Sequence, residues 1–399
     1  MKKRVLFLAH SALRGGAEFC LDVTLRHLNR ENVEPYAIFP TDGPMADSAR
    51  QMGIPVEIVP LSWWMLYEPS FWEWKNRLRI PFRLHFLKRF ILRNGIQTVY
   101  SNTACLFEGV LAARAAGVPH VTHIHEVLED AFMRPRWLSI PKIVRFFCAH
   151  SQNVIFESES ALQIARRQLE SLALRDVEKL SRKLTVVSNS SRLTLEDAQE
   201  FSASCEEKAW QELAKYGLKS DRRTLLWMGR FSERKNPFML LAAVEKLLET
   251  RSPAFRNAFQ VLFVGAGPLE EPLRHAIEAR SLRDVCRLVP FQEDVRPLLR
   301  LADALVLTSR EESFGLVLVE AGMFALPVIA VRSQGPAEII REGETGFLVD
   351  SDSVEELSTR IASLFQDEDL RQTMGLRNQQ RVLEFFDPIK NTQKIEQLL

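Results

Sequence analysis

The 399-residue chain has few of the features that would mark it as a secreted scaffold, a membrane span or a nucleic-acid binder. Its five cysteines (Cys20, Cys105, Cys148, Cys205 and Cys286) are scattered and odd in number, with no C-x-x-C pair, so neither a disulfide framework nor a zinc cluster is indicated and a reducing compartment fits best. No run of 18 apolar residues exists, which argues against a spanning helix. The basic start M-K-K-R leads into only a short apolar run, Val5 to Ala9, which reads as a first buried strand rather than a signal-peptide core. A net charge of +1 lacks the basic excess of a nucleic-acid binder, and no nucleic-acid partner is expected. No low-complexity tract or short repeat breaks the chain.

What is present is an ordinary globular composition, 46% hydrophobic and 26% charged, in a chain longer than one core usually sustains. Short apolar runs alternate with amphipathic stretches, the pattern of parallel sheets flanked by helices. Strands are predicted at Val5–Ala9, Glu34–Phe39, Val56–Val59, Thr98–Ser101, Val121–Ile124, Asn153–Phe156 and Leu184–Val187. A second set falls at Leu225–Met228, Gln260–Val264, Val285–Leu288, Ala304–Leu307, Pro327–Ala330 and Gly346–Val349. The polar stretch V-S-N-S-S-R puts the boundary near residue 188. The expectation is two doubly wound Rossmann-like α/β domains, 1–187 and 188–378, whose parallel sheets face an interdomain cleft. A C-terminal helix in 379–399 is expected to pack back towards the first domain. Ligands of such sheets bind outside the carboxyl ends of the strands, so polar residues just after strands are the ones to follow.

The nine residues from Glu312 to Glu320, E-S-F-G-L-V-L-V-E, carry two carboxylates around a glycine-bearing turn that opens into a helix. A helix start offers free backbone N–H groups to a phosphate, and each carboxylate can accept hydrogen bonds from sugar hydroxyls. Eight residues of helix rise about 12 Å, roughly the separation of a ribose from a hexose joined through two phosphates. Acidic residues in a first turn also simply complement the helix dipole.

Just past a strand, M-G-R-F-S-E-R-K-N-P gathers Arg230, Arg234 and Lys235, suited to neutralising a diphosphate or to standing solvated in a loop. Gly15 and Gly16 precede a helix after the first strand and allow close approach of an anion, or only a turn. G-A-G-P at 265–268 fails as a dinucleotide fingerprint because Glu270 stands at the third glycine position. In V-P-H-V-T-H-I-H-E, strand alternation turns His123 and His125 to one face, as part of a metal site, as buried and satisfied histidines, or as polar groups of the cleft.

Trp63, Trp64, Trp72 and Trp74 are followed by a run of basic residues including Arg79, Arg83, Lys88 and Arg89, with no acid from Lys75 to Arg93. This segment is expected to face anionic lipid headgroups, or else to hold a partner or an acceptor. In the contrasting arrangement, Phe82, Phe86, Leu87, Phe90 and Ile91 pack inward and leave only a basic outer face.

Together G-R-F-S-E-R-K-N-P, V-G-A-G-P-L, S-R-E-E-S-F-G-L-V-L-V-E-A-G, L-P-V-I-A and E-G-E-T-G-F-L-V resemble, in order, the family 4 retaining nucleotide-sugar glycosyltransferases of GT-B fold. The resemblance implies that Glu320 holds the donor ribose, that Glu312 contacts the donor sugar, and that Arg230 and Lys235 bind the diphosphate. It also implies that Ser313, Phe314, Gly315 and Leu316 line sugar and phosphate and that His125 contacts the sugar. Gly15 and Gly16 would lie by the diphosphate and the acceptor. The chain departs from the family at Ser313, where glycine is usual, at Glu126, where aspartate is usual, and at Asn189-Ser190-Ser191 in place of N-G-V.

The implied activity is metal-independent transfer, without a cofactor, from a UDP- or GDP-sugar to a lipid-linked or polysaccharide acceptor in cell-surface glycan biosynthesis. Its implied setting is the cytoplasm or the cytoplasmic face of a membrane. Asp350-Ser351-Asp352, which looks like a metal-binding D-x-D, lies after the last strand and reads as coincidence. A nucleotide-sugar epimerase of the same fold and a noncatalytic nucleotide-sugar-binding partner are the rival functions.

Overall fold

The computed structural model describes residues 2–61, 63–66, 78–129, 134–135, 138–173, 175–200 and 203–399. The chain divides into two compact units, Met1–Arg192 with Pro388–Leu399, and Leu193–Asp387. The first division lies a few residues beyond the expected 187/188. The segment that rejoins the first unit starts at Pro388, while residues 379–385 belong to the helix Glu368–Phe385 of the second.

The first unit contains β1 (Lys3–Leu8), β2 (Val33–Phe39), β3 (Val56–Ile58), β4 (Met65–Leu66), β5 (Thr98–Ser101), β6 (His120–Ile124), β7 (Arg134–Pro135), β8 (Asn153–Phe156) and β9 (Leu184–Val186). Seven of them form one sheet in the order β3-β2-β1-β5-β6-β8-β9, every pair parallel. Its central strands are buried on both faces, so Val5, Leu6, Phe7 and Leu8 read as one apolar run. The antiparallel pair β4–β7 is an addition that the sequence patterning does not reveal.

The second unit contains β10 (Arg223–Met228), β11 (Phe259–Gly265), β12 (Cys286–Pro290), β13 (Ala304–Leu307), β14 (Val328–Val331) and β15 (Gly346–Val349). They form a parallel sheet in the order β12-β11-β10-β13-β14-β15. Apolar clusters cover both faces. Leu226, Leu305 and Leu318 belong to one and Leu225, Trp227 and Val306 to the other, as side-chain alternation along a strand requires. Trp227 is fully buried, and its indole N–H is satisfied by Thr308 Oγ1 at 2.9 Å.

Strand order reverses beside β1 in the first sheet and beside β10 in the second. Those switch points bring the loops after β1 and β5 together, and likewise the loops after β10 and β13. The helix Pro388–Leu398 is tied to the first unit by Asn391 Nδ2, which donates to Ser188 O and to Ser190 Oγ at 3.1 Å each, and by Asn153 Nδ2 on Leu398 O at 2.8 Å.

The aromatic-basic segment is arranged differently from the expected membrane face. Trp64 is a core residue, packed on Phe107, Phe146 and Phe147, with its N–H on Ala104 O at 2.6 Å, because a satisfied indole gains most when buried. Trp63 is half-buried and donates to His10 O at 3.0 Å, and Trp72 and Trp74 lie outside the described residues. Arg83 also turns inward, donating to Glu108 Oε1 through Nε at 2.9 Å and Nη2 at 2.7 Å, since a buried carboxylate demands a cation. Arg79, Lys88 and Arg89 are exposed. On the helix Ile80–Arg93, Leu87 and Ile91 face the core, whereas Phe82 (77% exposed) and Phe86 (42%) point outward, contrary to the inward-packing arrangement.

Candidate functional site

In the second unit the site is built from the loops after β10 and β13. The first begins at Gly229, exposes Arg230, and closes in a short turn, Glu233–Lys235, ended by Asn236 with φ of +47°. Arg310 N donates to Arg234 O at 3.0 Å and Thr308 Oγ1 to Lys235 O at 3.0 Å, so the backbones of the two loops are fastened together. This fastening brings the Lys235 ammonium onto Glu312 Oε2. Burial alone would raise the Glu312 carboxyl, but the Lys235 ammonium, through charge and hydrogen bond, and then Arg234 bring it below its ordinary value of 4.5. Glu312 is therefore an anion at neutral pH, with its side chain largely buried. Arg230 stays exposed on the same loop, with no ion pair of its own among the described residues.

The helix Leu316–Met323 starts after Gly315, whose φ of +103° is a conformation in which a side chain would be strained. Glu312 thus stands in the turn before this helix, and the stretch between the two acids is not one continuous helix as its 12 Å rise assumed. Glu320 lies within the helix and is buried, 4% exposed. The Phe314 side chain faces the core against Phe386, Ser313 and Leu316 are half-buried, and Gly335 N donates to Glu312 O at 3.0 Å.

The glycines of V-G-A-G-P-L serve packing. A Cβ on Gly265 would sit 1.9 Å from Gly229 O, and one on Gly267 2.4 Å from Phe231 O. The close approach lets Ala266 O accept from Phe231 N at 3.0 Å, so this loop supports the Arg230 loop from behind. Sequence reasoning weighs the motif as a failed cofactor fingerprint and as part of the family resemblance, but not as packing behind the Arg230 loop; its position directly after β11, the neighbour of β10, was the available signal. Of the D-x-D carboxylates, Asp352 accepts from Arg310 Nε at 3.2 Å and Nη2 at 3.1 Å, while Asp350 lies 3.8 Å from Arg332.

In the first unit, Gly15 precedes the helix Gly16–His27, and Glu18 lies over that start: a Cβ on Gly15 would be 2.4 Å from Glu18 Oε2. The anion expected at Gly15 and Gly16 thus meets a resident carboxyl. Burial pushes Glu18 above its ordinary value, partly offset by His10, whose Nε2 is 3.2 Å from Glu18 Oε1. Glu18 was overlooked because an acid in a first turn has an ordinary explanation.

At the end of β6, the His123 and His125 rings lie on one face with centroids 4.1 Å apart. His123 is held neutral by burial, well below its ordinary value, with Nδ1 2.5 Å from Tyr100 OH. His125 has Nε2 3.0 Å from Asn102 Oδ1 and Nδ1 3.6 Å from Glu157 Oε2. Glu126 accepts from Thr103 Oγ1, from Ala104 N at 3.0 Å and from His125 N at 3.1 Å, locking the loop after β5 to the end of β6. Among the described residues no group of three or more His, Cys, Asp or Glu side chains could hold a metal ion.

Two family models match along the chain: Glycosyltransferase Family 4 over residues 14–175 and Glycosyl transferases group 1 over residues 208–381. The chain belongs to glycosyltransferase family 4. It shares the GT-B architecture of that family, two Rossmann-like domains with parallel sheets. Its curated relatives include N-acetyl-alpha-D-glucosaminyl L-malate synthase of Bacillus anthracis, 30% identical over 43% of this chain and 43% of the relative. Another is the lipopolysaccharide core biosynthesis glycosyltransferase LpsE of Rhizobium meliloti, 28% identical over 47% of this chain and 52% of that one. The match thus spans about half the length of these relatives. Among solved structures, Anabaena HepE in complex with UDP has the same fold, with a TM-score of 0.76 and 22% identity, over 100% of this chain and 99% of HepE.

Proposed function

We propose that this family 4 member transfers a sugar, with retention, from a nucleoside-diphosphate-sugar to a lipid-linked or polysaccharide acceptor in cell-surface glycan synthesis. The reading is carried by one observation: a free cation, Arg230, on the same fastened loop as the Lys235 ammonium that holds the buried Glu312, which adjoins a glycine-started helix at the sheet's switch point. Arg230 and Lys235 bind the diphosphate and absorb the charge that grows as it departs, a role fixed cations fill without a metal. Glu312 holds the donor sugar, Glu320 the ribose hydroxyls, and the backbone at Ser313 to Leu316 lines sugar and phosphate. In the first unit, His125 is read as a sugar contact and Gly15 and Gly16 as a diphosphate contact, where an anion must displace or neutralise Glu18. The UDP bound by HepE supports a uridine or related nucleotide-sugar as donor, and the lipopolysaccharide role named for LpsE supports the acceptor class.

The acceptor sits at the cytoplasmic surface of a membrane, which the protein touches peripherally. Among the described residues no helix is long and apolar enough to cross a membrane. Supporting the contact, the helix Ile80–Arg93 has no acid and exposes Phe82, Phe86 and Leu92, with Leu78 (72% exposed) just before it, among Arg79, Lys88, Arg89 and Arg93. Thermal stabilisation against a panel of nucleotide-sugars, followed by the anomeric configuration of the product by NMR, tests the reaction. An inverted product removes the retaining mechanism, and donor conversion without acceptor points to an epimerase. Flotation with anionic vesicles tests the surface; protein left at the bottom of the gradient at low salt refutes the contact.

A further inference from the structure

Thr308 directly follows the last residue of β13 and is fully buried. Its hydroxyl oxygen lies 2.9 Å from the Trp227 indole Nε1 and 3.0 Å from Lys235 O. An indole N–H can only donate, so the Thr308 oxygen accepts from it; a carbonyl can only accept, so the hydroxyl hydrogen goes to Lys235 O. The hydroxyl therefore has one direction. The indole is itself held, because its ring stacks on Phe231, with centroids 5.6 Å and planes 17° apart, and lies 6.0 Å from the ring of Phe263 on β11. Phe231 belongs to the loop that carries Arg230 and Lys235. Trp227 thus underlies that loop at two points, by stacking at Phe231 and through Thr308 at Lys235.

The second bond between the two loops, from Arg310 N to Arg234 O, joins backbone to backbone, and any residue except proline supplies it. The bond from Thr308 depends on its side chain. Serine keeps that hydroxyl, whereas valine matches the shape of threonine without it. On the receiving side, Lys235 N donates to Ser232 O at 3.1 Å in the short turn Glu233–Lys235, its carbonyl meets Thr308, and its side chain runs to Glu312 Oε2. Fixing the carbonyl fixes the backbone from which the ammonium reaches the carboxylate.

We propose that Thr308 is a positioning residue whose hydroxyl, aimed by the Trp227 indole, sets the Lys235 carbonyl and thereby holds the Lys235 ammonium at Glu312. The interior of the sheet fixes a charge at its rim. That this charge meets a departing diphosphate rests on the glycosyl-transfer reading above; the placement of the ammonium does not. In Thr308→Val the indole N–H and the Lys235 carbonyl both lose their partner. The carbonyl regains one by turning out to water, and the Lys235 backbone goes with it.

The test reads the placement of the ammonium without turnover. The full chain is treated at neutral pH with a limiting amine-acetylating reagent, and the rate at each lysine is followed by peptide mass spectrometry. Lys235, paired with Glu312, should react slowly in the wild type and in Thr308→Ser, which keeps the hydroxyl. In Thr308→Val it should react about fivefold faster, the scale of one lost hydrogen bond, while the exposed Lys88 reacts alike in all three. An unchanged Lys235 rate in Thr308→Val overturns the proposal. So does a Lys235 rate raised about fivefold in Thr308→Ser, and that variant decides the matter should Thr308→Val not fold. In donor turnover, Thr308→Val should lower kcat about 10- to 100-fold, the cost of a displaced group. In a Lys235→Ala background the same substitution should cost about twofold or less, because a residue that acts through Lys235 has nothing left to place. An equal loss in both backgrounds leaves Thr308 a structural role only and overturns the proposal. A wild type that turns over no nucleotide-sugar defeats the glycosyl-transfer reading, and the acetylation rates still decide what Thr308 holds.

Discussion

The two units treat buried acids in opposite ways. In the second, Glu312 is buried against Lys235 and pulled below its ordinary value, on loops whose backbones are fastened to each other while Arg230 remains unspent. In the first, Glu18 is buried with only partial compensation from His10 and is pushed up, while Glu126 and Glu157 are occupied by neighbouring donors. A rigid cationic loop suits a diphosphate whose charge is constant across substrates. The first unit's polar groups are arranged chiefly for one another.

That contrast can be broken most forcefully at the two buried ion pairs. Lys235→Ala should lower turnover about 100- to 1,000-fold, the scale of losing a fixed group that stabilises developing charge. If single-turnover kinetics show only a higher KM, Lys235 acts in binding alone. Arg83→Ala in the first unit strips the cation from Glu108 and should cost about 3–5 kcal/mol in urea unfolding while leaving vesicle flotation unaltered. Phe82→Ser, by contrast, should weaken flotation and leave the unfolding midpoint in place; the reverse pattern in this pair would return Arg83 to the membrane face.

A smaller effect is expected from Glu320→Ala, about 1–3 kcal/mol of donor affinity by calorimetry, because ribose hydroxyls lose their acceptor. Unchanged affinity would mean that this buried acid is only structural. The smallest effect sharpens the contrast through pH. Glu312 has a depressed folded value, so its contribution to stability is present above the ordinary 4.5 and is lost as pH falls through the depressed value. Glu18 has a raised one, so its contribution is complete below 4.5 and is lost as pH rises through the raised value. At pH 7.5, Glu18→Gln should therefore raise Tm by a few degrees, about 1 kcal/mol, and Glu312→Gln should lower it. Shifts of the same sign would end the comparison.

Much of the fold was legible because a parallel strand buried on both faces is an uninterrupted apolar run. Thr98–Ser101, Asn153–Phe156, Ala304–Leu307 and Gly346–Val349 have the bounds read from the sequence, and most of the other main-sheet strands differ by a residue or two at an end. The Lys235–Glu312 approach could be anticipated from two loops following strands of one sheet. Trp64 and Arg83 were misplaced because composition reports what a segment contains and not which way each side chain turns. Their partners, Ala104 and Glu108, are distant in sequence. Asn102 and Glu157 each follow a predicted strand directly, where polar residues are the ones to follow, but nothing in the sequence singles them out from the other such residues, and only sheet order makes them neighbours of His125.

Because residues Pro388–Leu399 rejoin the first unit, the polypeptide passes between the units twice, at Arg192–Leu193 and again at Asp387–Pro388. A nick at Asp387–Pro388 therefore leaves the units joined through Arg192–Leu193, whereas one at Arg192–Leu193 leaves residues 1–192 held to the remainder only by the non-covalent seat of the terminal helix. A first unit produced by stopping at Arg192 would bare the apolar bed of Ile395 and Leu399, so an independent version of that half has to splice the terminal helix back on.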